Sequence, residues 1–219
     1  MIARFAATAL LCLAAAPAFA QTPPPPTATP PSASPAAVAP ATPQYALVKV
    51  SVVTSEGTIV LALEKQRAPI TTANFLRYVD QKKLDGVTFY RAVKVTPTIG
   101  FIQGGTSNDP KRTLPPIKHE PSSTTGVHAV DGSIAMARGA PGTAAGDFFI
   151  LVGDEPTMDA DPKAPGDNQG FAAFGHVVEG MDVVRHIMDA AISPTKGVGA
   201  MKGSMIAAPI KIVSARRVD

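Results

Sequence analysis

The stretch from Val87 to Gly105 limits the folds open to this chain more than any other. Val87-Thr-Phe-Tyr-Arg-Ala-Val93 alternates as a β-strand does, and strict alternation places Val87, Phe89 and Arg91 on one face and Thr88 and Tyr90 on the other. A cation then shares a face with two apolar side chains, and arginine is seldom buried without a partner. The plain alternative is a strand-end arginine turned to water. After the turn-rich insert Lys94-Val-Thr-Pro-Thr-Ile99, a second strand, Phe101-Ile-Gln103, closes on Gly104-Gly105. Those glycines permit close backbone approach or positive φ. Gly132-Ser-Ile-Ala-Met-Ala-Arg-Gly139 and Asp147-Phe-Phe-Ile-Leu-Val152 supply two more strands rich in small or aromatic residues. Together the four segments can line one apolar hollow around one fixed guanidinium.

The same short-strand pattern runs through the chain after residue 44. Leu47 to Thr54 and Thr58 to Glu64 flank Ser55-Glu56-Gly57, and Ile59, Leu61 and Leu63 alternate with Val60 and Ala62, which predicts a hairpin. Further strands are expected at 87–92, 99–103, 132–138, 147–152, 171–178 and 204–214. A helix is expected over 71–81, where Ala73, Leu76 and Val79 recur at three-residue steps just after Pro69. A second is expected over 181–190, with Val183, Val184, Ile187 and Met188 on one stripe. A mainly β chain with eight strands and two helices suits a closed eight-stranded antiparallel β-barrel capped by the two α-helices, because closure removes the sheet edges. Periodicity alone does not choose the barrel over a sandwich.

Ahead of this region lie two segments of different composition. Met1 to Ala20 carries Arg4 as its only charge, an apolar run from Phe5 to Ala16, and Ala18-Phe-Ala20 as a small-x-small cleavage site. That is the pattern of a secretory signal peptide, and the run is too short for a spanning helix. Cys12, the only cysteine, lies inside the run with no small residue just before it, which argues against a lipoprotein signal. Cleavage after Ala20 leaves a chain without cysteine, so its stability rests on its core rather than on disulfides. Residues 21–44 hold no charge and are dense in Pro, Ala and Thr, which predicts a disordered, partly polyproline linker. Residues 45–219 then form one domain. The expected setting is export across the inner membrane into the periplasm, with no stable membrane insertion once the signal is removed.

The formal charge of +3, with lysines and arginines scattered singly, gives no case for nucleic acid. His119-Glu120 is followed by Pro121 and lacks the second histidine that a helical zinc site needs. Asp154, Glu155, Asp159, Asp161 and Asp167 miss the spacing of a helix-loop-helix calcium site and read as a solvated loop. Gly139 to Gly146 lacks the ending of a phosphate loop. Neither a metal nor a cofactor is expected.

Five motifs carry a resemblance. Phe89-Tyr-Arg91, Phe101-Ile-Gln-Gly-Gly105, Ala135-Met-Ala137, Asp147-Phe-Phe-Ile150 and Phe174-Gly-His-Val-Val-Glu-Gly-Met181 resemble, in order and approximate spacing, the core motifs of the cyclophilin family of peptidyl-prolyl isomerases. The resemblance implies the barrel and an activity: acceleration of Xaa-Pro rotation in exported polypeptides, by a monomer. It implies that Arg91 is the catalytic donor, that Gln103 positions the substrate backbone, and that Phe101, Met136, Ala137 and Phe149 form the proline pocket. Where many members have asparagine, glutamine and histidine, this chain has Arg138, Asp147 and Phe171. Phe171 is expected to wall the pocket, and Asp147 to pair with Arg91, either orienting it or competing with substrate. Met158, in Thr157-Met-Asp159, stands nearest the rim where relatives carry an indole, and the chain has no tryptophan. A proline-segment binding module without isomerase activity and a plain envelope barrel are the rival readings.

Overall fold

In a computed structural model of the protein, which describes residues 45–218, the hydrophobic pattern closes on itself. The eight strands, in chain order, are β1 (Val48–Thr54), β2 (Gly57–Leu63), β3 (Thr88–Lys94), β4 (Gly100–Gly105), β5 (Ser133–Met136), β6 (Asp147–Val152), β7 (Ala173–Glu179) and β8 (Met205–Val218). They form a closed barrel in the order β1-β2-β7-β5-β6-β4-β3-β8, with every neighbouring pair antiparallel. The signal peptide and the linker expected for residues 1–44 lie outside the described residues.

Alternation explains the inside of the barrel. Val50 and Val52 of β1, Ile59, Leu61 and Leu63 of β2, Ile134 and Met136 of β5, and Phe148, Ile150 and Val152 of β6 all join one core. Phe75, Phe89, Phe148 and Phe174 meet there, with Phe75 edge-on to Phe148 at 5.3 Å and Phe89 edge-on to Phe148 at 5.7 Å between ring centroids, geometries that aromatic quadrupoles favour.

Two helices pack on this core as expected: α1 (Pro69–Asp80) through Phe75, Leu76, Tyr78 and Val79, and α3 (Met181–Met188) through Val184, Ile187 and Met188. Helix α1 begins two residues earlier than periodicity suggests, because Pro69 sits inside its first turn, where a missing N–H does no harm. Its start is capped from far along the chain. The Glu120 carboxylate accepts from Ile70 N (3.1 Å), Thr71 N (2.6 Å) and Thr71 Oγ1 (2.7 Å), satisfying orphan amides and matching the positive end of the helix dipole. The His119-Glu120 pair rejected as a metal motif thus has a structural use. A four-residue helix, α2 (Ser122–Thr125), is a third helix beyond the two expected. Its apolar content is nil, so no amphipathic stripe announces it.

Element bounds shift modestly elsewhere. Strand β8 extends four residues past its expected end, and β5 is shorter than expected. The double glycine of β4 is required: a Cβ on Gly104 would lie 2.8 Å from both the Thr88 carbonyl oxygen and the Phe89 ring, and Gly105 has φ +131°.

Candidate active site

Strict alternation fails at the most informative strand. Along β3, Phe89 pairs with Gly104 and Arg91 with Gln103, so Tyr90 is an extra residue and the register shifts between them. This β-bulge turns two successive side chains, Tyr90 and Arg91, to the outer face, while Phe89 and Ala92 stay in the core. Arg91 therefore does not share a face with Val87 and Phe89. Its guanidinium lies on the outside of the barrel wall, half-exposed.

The neighbouring strands present their alternate residues to the same outer face. Phe101 and Gln103 of β4, Phe149 of β6, Ala135 of β5 and Ala137 just beyond β5 face outward. Phe101, Phe149, Ala135 and Ala137 join Met158 and Phe171 in a second apolar cluster, separate from the barrel core. Phe149 is the centre of it, 5.4 Å from Phe101 and edge-on to Phe171 at 5.2 Å. A hollow of about 270 Å³ opens here, lined by Arg91, Phe101, Gln103, Ala137, Arg138, Phe149, Met158, Phe171, Ala200 and Met201. Its lining contains every residue expected at the site except two.

Met136 is the first exception. It belongs to the barrel core and is 1% exposed, since β5 alternates and only its neighbours at 135 and 137 can face out. Asp147 is the second. It does not pair with Arg91; its Oδ1 accepts from Ser107 N at 2.7 Å. Arg91 instead donates from Nη1 to Gln103 Oε1 (3.0 Å), from Nε to Ser204 Oγ (2.9 Å) and from Nη2 to the Ala200 carbonyl (3.0 Å). Gln103 in turn donates through Nε2 to Tyr90 Oη at 2.9 Å. Its amide is thereby oriented with oxygen toward the cation.

Asp147 faces a second hollow of about 470 Å³, which shares Gln103, Ala137, Arg138 and Met201 with the first and adds Tyr90 at its base. Burial pushes the Asp147 carboxyl up from its ordinary value, against the lowering effect of the Ser107 amide. Burial likewise pushes the Tyr90 phenol up, and the Asp147 charge adds to the effect. Burial lowers the Arg91 guanidinium from its ordinary value, yet arginine remains a cation throughout the physiological range.

Sequence reasoning noticed Arg138 only as a departure from a family pattern. Here it stacks over the Phe171 ring at 5.1 Å, pairs with Asp167 at 2.5 Å and donates from Nε to the Gly170 carbonyl at 2.9 Å. It fastens the loop that carries Phe171 against the hollow. An arginine followed by glycine was its only signal. Ala200, Met201 and Ser204 were missed altogether, for they reach the site from a segment about 110 residues past Arg91 with no motif of their own.

The pattern as a whole has a counterpart. Residues 48–217 match the family profile for cyclophilin-type peptidyl-prolyl cis-trans isomerases. The chain belongs to the cyclophilin family of peptidyl-prolyl isomerases. It is 35% identical over 170 residues to peptidyl-prolyl cis-trans isomerase A of Dickeya dadantii, a match covering 76% of this chain and 83% of that one. It is 36% identical over 169 residues to a peptidyl-prolyl cis-trans isomerase of Acinetobacter baylyi, covering 75% and 82%. Among solved structures, a cyclophilin-type isomerase of Cryptosporidium parvum superposes with a TM-score of 0.63 at 17% identity, covering 80% of this chain and 99% of that one. The same parasite protein crystallised in the presence of the dipeptide Ala-Pro gives 0.62 at 18% identity, covering 78% and 99%. The eight-stranded cyclophilin barrel expected from the motifs is the fold observed.

Proposed function

We propose that this cyclophilin accelerates rotation of Xaa-Pro bonds in exported polypeptides, acting as a monomer in the periplasm after removal of residues 1–20, with residues 21–44 as a spacer. The observation that carries the reading is a cation at the edge of an apolar hollow of about 270 Å³: Arg91 beside Phe101, Phe149 and Phe171. Xaa-Pro rotation needs no covalent step. It needs the amide to lose its double-bond character, against a barrier of about 18–20 kcal/mol.

In this reading the pyrrolidine ring enters against Phe101, Ala137, Phe149, Met158 and Phe171, and Gln103 holds the substrate backbone. As the bond twists, the prolyl nitrogen regains its lone pair, and an Arg91 N–H donates to it. That bond forms only in the twisted state, so it stabilises the transition state over the ground state. Met136, in the barrel core, supports the wall from behind and does not touch substrate. Asp147 belongs to the adjoining hollow and leaves Arg91 free of a carboxylate competitor. Among the described residues no helix is long and apolar enough to cross a membrane. Scattered basic residues favour no nucleic acid partner.

The test is cis-to-trans relaxation of a short Xaa-Pro peptide with and without the purified mature protein, together with fractionation of cells producing it. Catalysed relaxation and recovery in the periplasmic fraction are expected. An uncatalysed rate at saturating protein, with the peptide still bound, would replace the enzyme by a proline-segment binding module.

A further inference from the structure

The segment between α3 and the barrel part of β8 is built as a brace. Its two legs pair: Ser193 N donates to the Met205 carbonyl at 2.8 Å, Ala207 N to the Ala191 carbonyl at 2.8 Å, and Ile192 bridges Ile206. Between the legs a lobe turns back over the site, with Gly197 at φ +92° and Gly203 at φ +75°. At Gly197 a Cβ would meet the Met201 carbonyl oxygen at 2.5 Å and Met205 Cγ at 2.9 Å, so the turn admits little but glycine. The lobe is tied to β3 next to the catalytic position, where Ala92 N donates to the Ser204 carbonyl at 2.9 Å.

What the lobe offers Arg91 is specific in geometry. Nε and Nη2 form one edge of the planar guanidinium, and the lobe takes both: Ser204 Oγ accepts from Nε at 2.9 Å and the Ala200 carbonyl accepts from Nη2 at 3.0 Å. Ser204 is itself fixed, donating its hydroxyl proton to the Met201 carbonyl at 3.0 Å, so its lone pairs are turned toward the arginine. Gln103 holds Nη1 from the other side. The remaining N–H groups lie at the free end of the fork. A long side chain with several rotatable bonds is thereby reduced to one pose before substrate arrives, which removes an ordering cost from the transition state.

We propose that Ser204 is a positioning residue for proline isomerisation: its hydroxyl, with the Ala200 carbonyl, clamps one edge of Arg91 so that the free end of the fork meets the prolyl nitrogen. The proposal rests on Arg91 being the donor to substrate. A buried serine that only completes a turn would show the same exposure of 8%, so the test must separate the two roles.

The experiment measures kcat and KM for a short Xaa-Pro peptide in the mature protein carrying Ser204→Ala or Ser204→Thr, each alone and combined with Arg91→Ala, with thermal unfolding of every variant. Ser204→Ala should lower kcat by roughly three- to tenfold, the loss of one orienting hydrogen bond, with KM little changed. Ser204→Thr keeps the hydroxyl and should restore most of the rate. In the Arg91→Ala background, Ser204→Ala should have no further effect, because the group it orients is gone. An equal loss in both backgrounds, or full activity of Ser204→Ala in the parent, would overturn the proposal while leaving the isomerase reading intact. A parent that fails to accelerate relaxation would remove the isomerase reading, and the proposal with it.

Discussion

Truncating Arg91 tests the centre of the mechanism, and the structure sets two separate magnitudes. The first concerns rate. In the proposed mechanism Arg91→Ala removes one charge-assisted hydrogen bond made only in the twisted state, worth about 1.5–3 kcal/mol, so kcat/KM should fall roughly 10- to 150-fold. The second concerns stability. Gln103 Oε1, Ser204 Oγ and the Ala200 carbonyl each lose a donor, but the space vacated joins a hollow open to solvent, where water can replace the guanidinium. A net loss of about 1–2 kcal/mol follows, or a few degrees in Tm for a domain of this size. Arg91→Lys keeps the charge but offers a single ammonium to three acceptors and to substrate, so it should fall between parent and alanine. Relaxation of a short Xaa-Pro peptide by folded, unaggregated protein is the assay, with Tm measured on the same samples. Arg91→Ala with the parent kcat/KM would refute the reasoning, for it would show that shape and desolvation in the hollow suffice without the cation.

Asp147 holds its proton to higher pH in the folded protein than in the unfolded chain, so its ionisation penalises folding progressively as pH rises above the ordinary carboxylate value of about 3.9 and fully above the folded value. The Tm of Asp147→Asn relative to parent should therefore improve between about pH 4 and pH 7, and a pH-independent gap would show that the carboxyl is not penalised by burial. The mature protein should begin at Gln21, read by N-terminal sequencing, and removal of residues 1–44 should leave kcat/KM on short peptides unchanged, whereas lost activity or aggregation would give the linker a role in the fold. Cyclosporin should bind more weakly, by roughly 5- to 150-fold, than it binds a cyclophilin with an indole at the rim, because Met158 offers apolar contact and no donor. Titration of isomerase activity decides that point, and stoichiometric inhibition at nanomolar concentration would contradict it.

The strands were legible in the sequence because each buries one face, and period-two patterning survives wherever that is so, as in Ile59, Leu61 and Leu63; their closure into a barrel rather than a sandwich was legible only through the resemblance of the five motifs. The hollow's residues were named through the resemblance, and the structure supplies the physical reason: Phe149 and Ala137 occupy the opposite phase to Phe148 and Met136, so two apolar surfaces share the same strands. Choosing Met136 for the pocket ignored that phase. The bulge at Tyr90 was not legible, since one inserted residue leaves the local pattern looking regular while reversing the faces beyond it. The Asp147 pairing failed on distance in three dimensions. A carboxylate two strands away has backbone amides nearer than any guanidinium. Ser204 and Ala200 could not be found, because what they contribute is a carbonyl and a hydroxyl at the end of a glycine-rich lobe, and neither has a sequence signature.

Strand β8 hydrogen-bonds to β1 on one side and to β3 on the other, so this one strand joins the two hairpins that the β1 and β3 edges belong to and shuts the ring. Until β8 docks, β1 and β3 present two unsatisfied strand edges at once, each able to template a neighbour. A species with this fourteen-residue strand detached therefore bares the β1 and β3 edges together, so loss of one element opens the ring on two sides rather than one.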